Sequence, residues 1–131
     1  METERRICIN NDLDIVMARM QARQMAKLIG FGTADQARIS LAASELARLL
    51  IDNATPPIEI LMSTASKNGQ QGMQVACLMS FLEKKPSEEI QPDPAKRNNQ
   101  FLVSTRQLMD ESILEEQSSG HTRVTLIKWL N

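Results

Sequence analysis

Glu45 is the side chain whose type and setting most readily suggest chemistry, because a carboxylate held on a helix can act as a general base. Its helix is predicted over about Ala34–Asp52, where apolar residues recur at the spacing of one helical face. Those residues are Ile39, Ala42, Ala43, Leu46 and Leu50. Leu49 follows Glu45 by about one turn, and its side chain carries no polar atom. Glu45 is therefore either a catalytic base or a helix glutamate held by an ion pair.

The other reactive side chains predict no second site. His121 is the one histidine and lies in a turn, without cysteine or carboxylate partners at ligand spacing, which is typical of a surface residue. Cys8 and Cys77 lie far apart in the sequence and form no CxxC pair. We interpret both as buried free thiols in a reducing cytosol, and we expect no metal site.

Composition excludes several classes of function. The chain has 131 residues and a net charge of -1, so it lacks the basic excess of a typical nucleic-acid-binding protein. No apolar run approaches the roughly 20 residues that a membrane span requires, and the first residues do not resemble a signal peptide. We therefore expect one cytoplasmic domain, bound to neither nucleic acid nor membrane.

A first helix is predicted from Asn11, as its N-cap, to about Ile29. One apolar stripe faces the core through Ile15, Ala18, Ala22, Met25 and Ile29. Four further apolar residues are expected to widen the stripe and bury the helix: Val16, Met17, Met20 and Leu28. Arg19, Arg23 and Lys27 form a basic row on the wet side. We interpret that row as a solvated face, with a docking surface for an acidic partner as the alternative.

Strand and turn signals complete the chain. Gly30 and Gly32 end the first helix, and Thr33 or Asp35 is expected to cap the second. Three prolines and many charges predict a mobile loop at about 83–99. A third helix is predicted over Gln100–Asp110, and strands over Arg5–Ile9, Ile58–Ser66, Met73–Phe81, Ser112–Gln117 and Arg123–Leu130, the second and third joined by an Asn68–Gly69 turn. The predicted fold class is α+β, a two-layer sandwich with helices on one face of a mostly antiparallel mixed sheet.

The segment Asp14–Arg48, DIVMARMQARQMAKLIGFGTADQARISLAASELAR, resembles the first two helices of the RsbT-type anti-sigma-factor serine kinases. Those kinases belong to the GHKL superfamily, which has the Bergerat ATP-binding fold. Phe101–Ser112 resembles the helix after that family's ATP lid, and Gly120–Asn131 resembles its last strand. The resemblance implies a single HATPase-like domain over residues 1–131, with the loop at 83–99 in the place of the lid. It also implies a role in phosphorylating a serine of a STAS-domain antagonist, or in switching between protein partners.

Three motifs carry the nucleotide chemistry of that family, and the sequence departs from each. The family's helix-borne Glu is followed four residues later by an Asn that holds Mg²⁺; here Glu45 matches, but Leu49 replaces the Asn. A D-x-G-x-G turn that binds adenine is replaced by Leu78–Leu82, with Met79 at the Asp position. The glycine-rich lid corresponds to Lys85–Asn99, which contains no glycine.

These replacements predict the loss of Mg-ATP binding. Mg²⁺ needs oxygen ligands, and a leucine offers none. An unpaired adenine amino group beside Met79 would cost about 1–3 kcal/mol. Leu49 and Met79 are expected to fill the old pocket with apolar atoms. We therefore expect no cofactor, and we favour an ion pair with Arg48 or Arg38 as the role of Glu45 over retained base chemistry.

The first hypothesis is a non-catalytic protein that binds a STAS-domain partner or another component of a partner-switching pathway. Its candidate partner-binding residues are Arg19, Arg23, Asp35 and Arg38. The second is an active serine/threonine kinase with a reworked ATP and Mg²⁺ site and Glu45 as base. The third is a sensor whose Met-rich pocket holds another small ligand. Formation of a homodimer is left open.

Overall fold

The computed structural model describes residues 4–80, 94–117 and 120–131, which form five strands and three helices. The strands are β1 (Glu4–Cys8), β2 (Glu59–Lys67), β3 (Gln70–Met79), β4 (Glu111–Glu116) and β5 (Thr122–Trp129). The helices are α1 (Asp12–Ile29), α2 (Thr33–Asn53) and α3 (Pro94–Arg106). Each predicted element is present, and most boundaries differ from the prediction by only a few residues.

The five strands form one sheet in the order β1-β2-β3-β5-β4. Every described strand pair is antiparallel. β1 lies at one edge and β3 at the centre. Asn68 (φ 52°) and Gly69 (φ 81°) turn the chain between β2 and β3 in the left-handed conformation that the Asn-Gly pair favours.

The helices cover one face of the sheet, and the core lies between the two layers. α2 buries the predicted residues Ile39, Ala42, Ala43, Leu46 and Leu50. They join a single apolar cluster with Ile60 and Met62 of β2, Val75 of β3, and Val124 and Leu126 of β5. The other side of the sheet, which we call the open face, carries Arg6, Leu61, Ala76, Leu78 and Thr125 and is not covered by a described helix. The α+β class with one helical layer is confirmed.

The helix ends show one correct and one wrong prediction. The Asn11 side chain caps α1 by accepting from the backbone N–H groups of Leu13 and Asp14, and the Asp14 carboxylate accepts in turn from the Asn11 backbone N–H. At α2 the N-cap is Gly32, and no side chain caps the free N–H groups. The expected cap by Thr33 or Asp35 is therefore wrong. The Asp35 carboxylate instead accepts from Arg38 at 2.8 Å.

The first helix is less buried than its sequence predicts. Val16, Met17, Met20 and Leu28 are exposed, together with Leu13. Steps of 100° per residue place this set on the side of the helix opposite Ile15, Ala18 and Ala22, so it cannot widen the buried stripe. Only the predicted stripe facing the sheet is confirmed: Ile15, Ala18, Ala22 and Met25 are buried, and Ile29 is half-buried.

The third helix begins earlier than expected. α3 starts at Pro94, so residues 94–99, which were predicted as loop, are helical. Proline suits the first turn of a helix because its φ is already helical and its missing N–H is not needed there. The rest of the predicted loop, 83–93, lies outside the described residues. Two residues of α3, Phe101 and Thr105, are buried, and so is Met109, which follows the end of the helix.

The two cysteines differ in environment. Cys8 is exposed, which contradicts its prediction as a buried thiol, because β1 is an edge strand and Cys8 points to the open face. Cys77 is buried in β3 as predicted, and desolvation raises the pKa of its thiol to about 12. Across the described residues, none of the helices combines the length and apolarity that crossing a bilayer requires.

Candidate functional site

Glu45 lies on the solvent side of α2. The exposed positions of the helix recur as Leu41, Glu45, Arg48 and Asp52, each about one turn after the last. Glu45 makes no hydrogen bond or ion pair with any described residue. Both proposed partners are engaged elsewhere: Arg48 donates to Asp12 of α1 at 3.2 Å, and Arg38 donates to Asp35 at 2.8 Å. The ion-pair explanation for Glu45 is therefore wrong.

Leu49 lies one turn beyond Glu45 but on the core side of α2. Its side chain is only 6% exposed and belongs to the main apolar cluster. At the end of the helix, the Asn53 side-chain amide donates to the Leu49 carbonyl at 2.9 Å. The position that carries a metal-binding Asn in the resembled family is thus packed as a core residue.

Met79 occupies the last residue of β3. It pairs in register with Thr122 of β5, on the face that the helices cover, and it is 4% exposed. The Thr55 N–H, just beyond α2, donates to the Ser80 carbonyl at 2.7 Å and fixes this end of the strand to the end of the helix. Leu49 and Met79 are therefore both apolar members of one cluster at neighbouring ends of α2 and β3.

The donor set at this corner does not fit Mg²⁺ coordination. A hard divalent ion needs several oxygen ligands, whereas Leu49 and Met79 supply none. Within residues 4–80, 94–117 and 120–131, no group of three or more His, Cys, Asp or Glu side chains is arranged to hold a metal ion. Phe81 and Leu82, which complete the altered adenine motif, and residues 85–93 of the lid position lie outside the described residues. The described residues therefore do not fit Mg-ATP in the manner of that family.

The candidate partner-binding residues fall into two groups. Arg19 and Arg23 are exposed on α1 and form no ion pair with any described residue. Asp35 and Arg38 pair with each other on the first turns of α2. Asp35 also lies 3.7 Å from the ammonium of Lys128, which in turn lies 3.5 Å from Asp110. Asp35 thus joins α2 to β5, while Arg19 and Arg23 remain available to a partner.

α1 also carries an exposed apolar stripe, at residues most of which the sequence predicts to be buried. Leu13, Val16, Met17 and Met20 form an exposed stripe on α1, which we call the α1 stripe. Its signal is the i, i+3, i+4, i+7 spacing of these residues, which is separate from the buried stripe when both are placed on a helical projection.

Three depressions are lined by described residues. One of about 310 Å³ lies on the open face near Arg6, Leu61 and Arg123. A second depression, of about 670 Å³, lies between α1 and β1. A third, of about 520 Å³, lies between α1 and the start of α2. Glu45, Leu49 and Met79 line none of these three depressions.

Comparison with known proteins places the chain. No protein-family model matches the sequence. The serine/threonine-protein kinase RsbT of Bacillus subtilis (strain 168) is 32% identical over 125 residues, which cover 93% of this chain and 93% of that protein. The crystal structure of the RsbU and RsbW domains of Rv1364c from Mycobacterium tuberculosis matches with a TM-score of 0.67 at 16% identity. That match covers 99% of this chain and 34% of the crystallised chain, and it shows the fold alone. The chain therefore belongs to the RsbT family of serine/threonine-protein kinases and has the fold of the GHKL superfamily.

Proposed function

We propose that this member of the RsbT family has lost nucleotide chemistry and acts by binding a protein partner in a partner-switching pathway. The observation that carries the proposal is the burial of Leu49 and Met79 in one apolar cluster. The resembled family has a metal-binding Asn and an adenine-binding Asp at these positions. Apolar side chains that already belong to the core leave neither ligand atoms nor hydrogen-bond partners for the nucleotide.

The isolated Glu45 does not make up for that loss. Phosphoryl transfer depends mainly on positioning the phosphates and neutralising their charge, for which the family uses Mg²⁺ and a lid of backbone N–H groups. A carboxylate alone supplies neither. Glu45 then remains as an exposed glutamate on the solvent side of α2.

The proposed partner is a cytoplasmic STAS-domain protein or another component of the same pathway. The support is the similarity to RsbT over nearly the whole length of both chains. Arg19 and Arg23, exposed on α1 without intramolecular ion pairs to described residues, are the proposed contacts. Arg38 is exposed as well, but its pairing with Asp35 makes it the weaker candidate.

The test measures partner binding and phosphorylation with the same purified proteins. Each STAS-domain protein of the source organism is titrated into this chain by calorimetry, with and without Mg-ATP, and is then incubated with radiolabelled ATP. We expect one of them to bind with an affinity that does not depend on nucleotide and to remain unlabelled. Binding that requires Mg-ATP, or labelling of a serine in the STAS protein, would contradict the proposal.

One observation favours a second candidate, an active kinase with a reworked ATP site. Glu45 is exposed and engages no described residue, so its carboxylate is available to accept a proton. This candidate requires the phosphates and the metal to be held by residues other than Leu49 and Met79. It predicts that Glu45→Gln abolishes labelling of the STAS protein, whereas the non-catalytic proposal predicts no labelling to abolish.

A further inference from the structure

We propose that the α1 stripe and the basic residues beside it form a docking face for an acidic amphipathic helix of a partner protein. The inference rests on the proposed function in one respect, that the protein acts through a protein partner. It adds the part of the surface that is used and the chemistry of the segment that binds there.

The α1 stripe is the first observation. Leu13, Val16, Met17 and Met20 are between 40% and 68% exposed, and they follow one another over two turns of a single helix. They lie opposite the residues with which α1 packs on the sheet, so no described element of the same chain covers them. Large apolar side chains that cluster on a surface, rather than being scattered singly, are typical of interaction sites.

The charge beside the stripe is the second observation. Arg19, Arg23 and Lys27 run along one flank of the stripe, and none forms an ion pair with a described residue. Arg23 and Lys27 also line the depression of about 520 Å³ between α1 and α2, together with Met20, Gln24, Thr33 and Gln36. Long cationic side chains without an internal partner favour carboxylates in a segment that binds there.

The start of α2 adds to the positive potential of this depression. Thr33 lines the depression and is the first residue of α2, whose N-cap, Gly32, provides no side-chain acceptor. The unpaired N–H groups of the first helical turn carry partial positive charge, which favours an anionic group nearby. The first-turn carboxylate of Asp35 is already paired with Arg38, so the N–H groups of the α2 terminus act in the same direction as Arg23 and Lys27.

These features together specify an amphipathic, acidic helix. Anchors at i, i+3, i+4 and i+7 present a straight apolar ridge, which matches the apolar face of another helix. A flank of Asp or Glu on that helix would face the basic row. A second copy of this chain is less suitable, because antiparallel packing centred on the stripe sets Leu13 of one copy against Met20 of the other and leaves Arg23 and Lys27 beyond the overlapping turns.

The test uses two designed helical peptides that are as long as α1 and carry leucines at the same spacing, one flanked by glutamates and the other by lysines. Binding to the full chain is measured by calorimetry and located by ¹⁵N amide shifts. We expect the glutamate peptide to bind at least about tenfold more tightly than the lysine peptide, with weaker binding at higher salt. The shifted amides should lie between Leu13 and Lys27.

Matched variants separate the apolar and the charged contributions. Met17→Gln and Met20→Gln should each weaken binding of the glutamate peptide by about tenfold, and Arg23→Glu should remove the preference for it. The controls are Leu41→Gln, at an exposed leucine of α2, and Arg123→Glu, at an exposed arginine of the open face; neither should change binding. Circular dichroism and the thermal midpoint confirm that each variant is folded.

Three results would overturn the inference. They are equal affinity for the two peptides, no loss of binding in the α1 variants, and concentration-dependent dimerisation that Met17→Gln abolishes. The last would assign the stripe to a second copy. Failure of this inference is distinguishable from failure of the proposed function. A STAS-domain protein that binds the α1 variants normally disproves only the docking face, whereas peptide binding without any STAS partner disproves only the proposed partner.

Discussion

Arg48 donates to Asp12 across 3.2 Å and so joins α2 to the first turn of α1. Glu45, one turn before Arg48 on the same face, receives no such bond. Both side chains of the Arg48–Asp12 pair are largely exposed, so the pair contributes little to stability. The pair does occupy Arg48, the basic residue nearest to Glu45 on this face of α2, with a carboxylate of α1. Glu45 is held neither by an ion pair nor by a described metal site.

The first prediction concerns Glu45 itself. Glu45→Gln should change the free energy of unfolding by less than about 0.5 kcal/mol, because no described contact is lost. Urea denaturation measures this change, and binding of the STAS-domain partner should also be unaltered. Asp52→Asn, at another exposed acid of α2, is the control. Loss of phosphorylation activity in Glu45→Gln but not in Asp52→Asn would instead identify Glu45 as a working base.

The second prediction tests the packing of Leu49. Leu49→Asn, which restores the residue type of the family motif, should lower the free energy of unfolding by about 2–4 kcal/mol, because it removes apolar contacts and buries an amide. Leu41→Asn makes the same chemical change at an exposed position of α2 and should cost less than about 1 kcal/mol. Equal losses in the two variants would show that Leu49 lines an open, water-filled space rather than the core.

The third prediction concerns Lys128, the partly buried cation between Asp35 and Asp110. Its side chain is 14% exposed, and its ammonium lies 3.7 Å and 3.5 Å from the two carboxylates. Lys128→Met leaves Asp110 without its cation and Asp35 with Arg38 alone, and should lower the free energy of unfolding by about 1–3 kcal/mol. Lys67→Met, at an exposed lysine at the end of β2, is the matched control and should have almost no effect. The same small effect from both would mean that the cluster does not stabilise the fold.

The fourth prediction concerns pH. Burial raises the pKa of the Cys77 thiol to about 12, above the value of an unfolded cysteine, so the folded state retains a proton that the unfolded state releases. The contribution of this thiol is fully present below pH 8 and is lost as pH rises toward 12. At pH 10 the loss should be about 1–2 kcal/mol relative to pH 8.

The measurement for this prediction is the urea midpoint at both pH values. Cys77→Ala should show a smaller alkaline loss than the parent chain, although its stability at pH 8 is lower. Cys8→Ala, at the exposed cysteine, should retain the full loss. An unchanged alkaline loss in Cys77→Ala would assign the effect to other groups.

The sequence predicts the fold well because local patterns decide most of it. The apolar spacing from Ile39 to Leu50 favours a helix with one buried face, and the Asn68–Gly69 pair favours a tight hairpin turn. The structure contains both. The alternation in β5 also places Lys128 on the covered face beside Val124 and Leu126. The alternation does not show which helix lies over Lys128, so the pairing of Lys128 with Asp35 of α2 appears only in the structure.

The site is harder to predict, since it depends on which side chains lack a partner. Periodicity assigns Met17 and Met20 to an apolar set, but it does not say that the sheet covers only one side of α1. In the same way, the spacing of the helix permits an ion pair of Glu45 with Arg48 or Arg38. In the structure, Arg48 pairs with Asp12 and Arg38 pairs with Asp35 instead. Competition of this kind is set by tertiary packing and not by sequence spacing.

Calorimetric titration of the full chain with Mg-ATP and with Mg-ADP measures directly whether the protein has lost nucleotide binding. Burial of Leu49 and Met79 predicts no saturable heat with either nucleotide, from a sample that circular dichroism shows to be folded. The glutamate peptide serves as a separate check of partner binding in the same buffer. A saturable signal with micromolar affinity for Mg-ATP would contradict the proposed loss of nucleotide binding, because it would show that the core at the ends of α2 and β3 opens to hold a nucleotide.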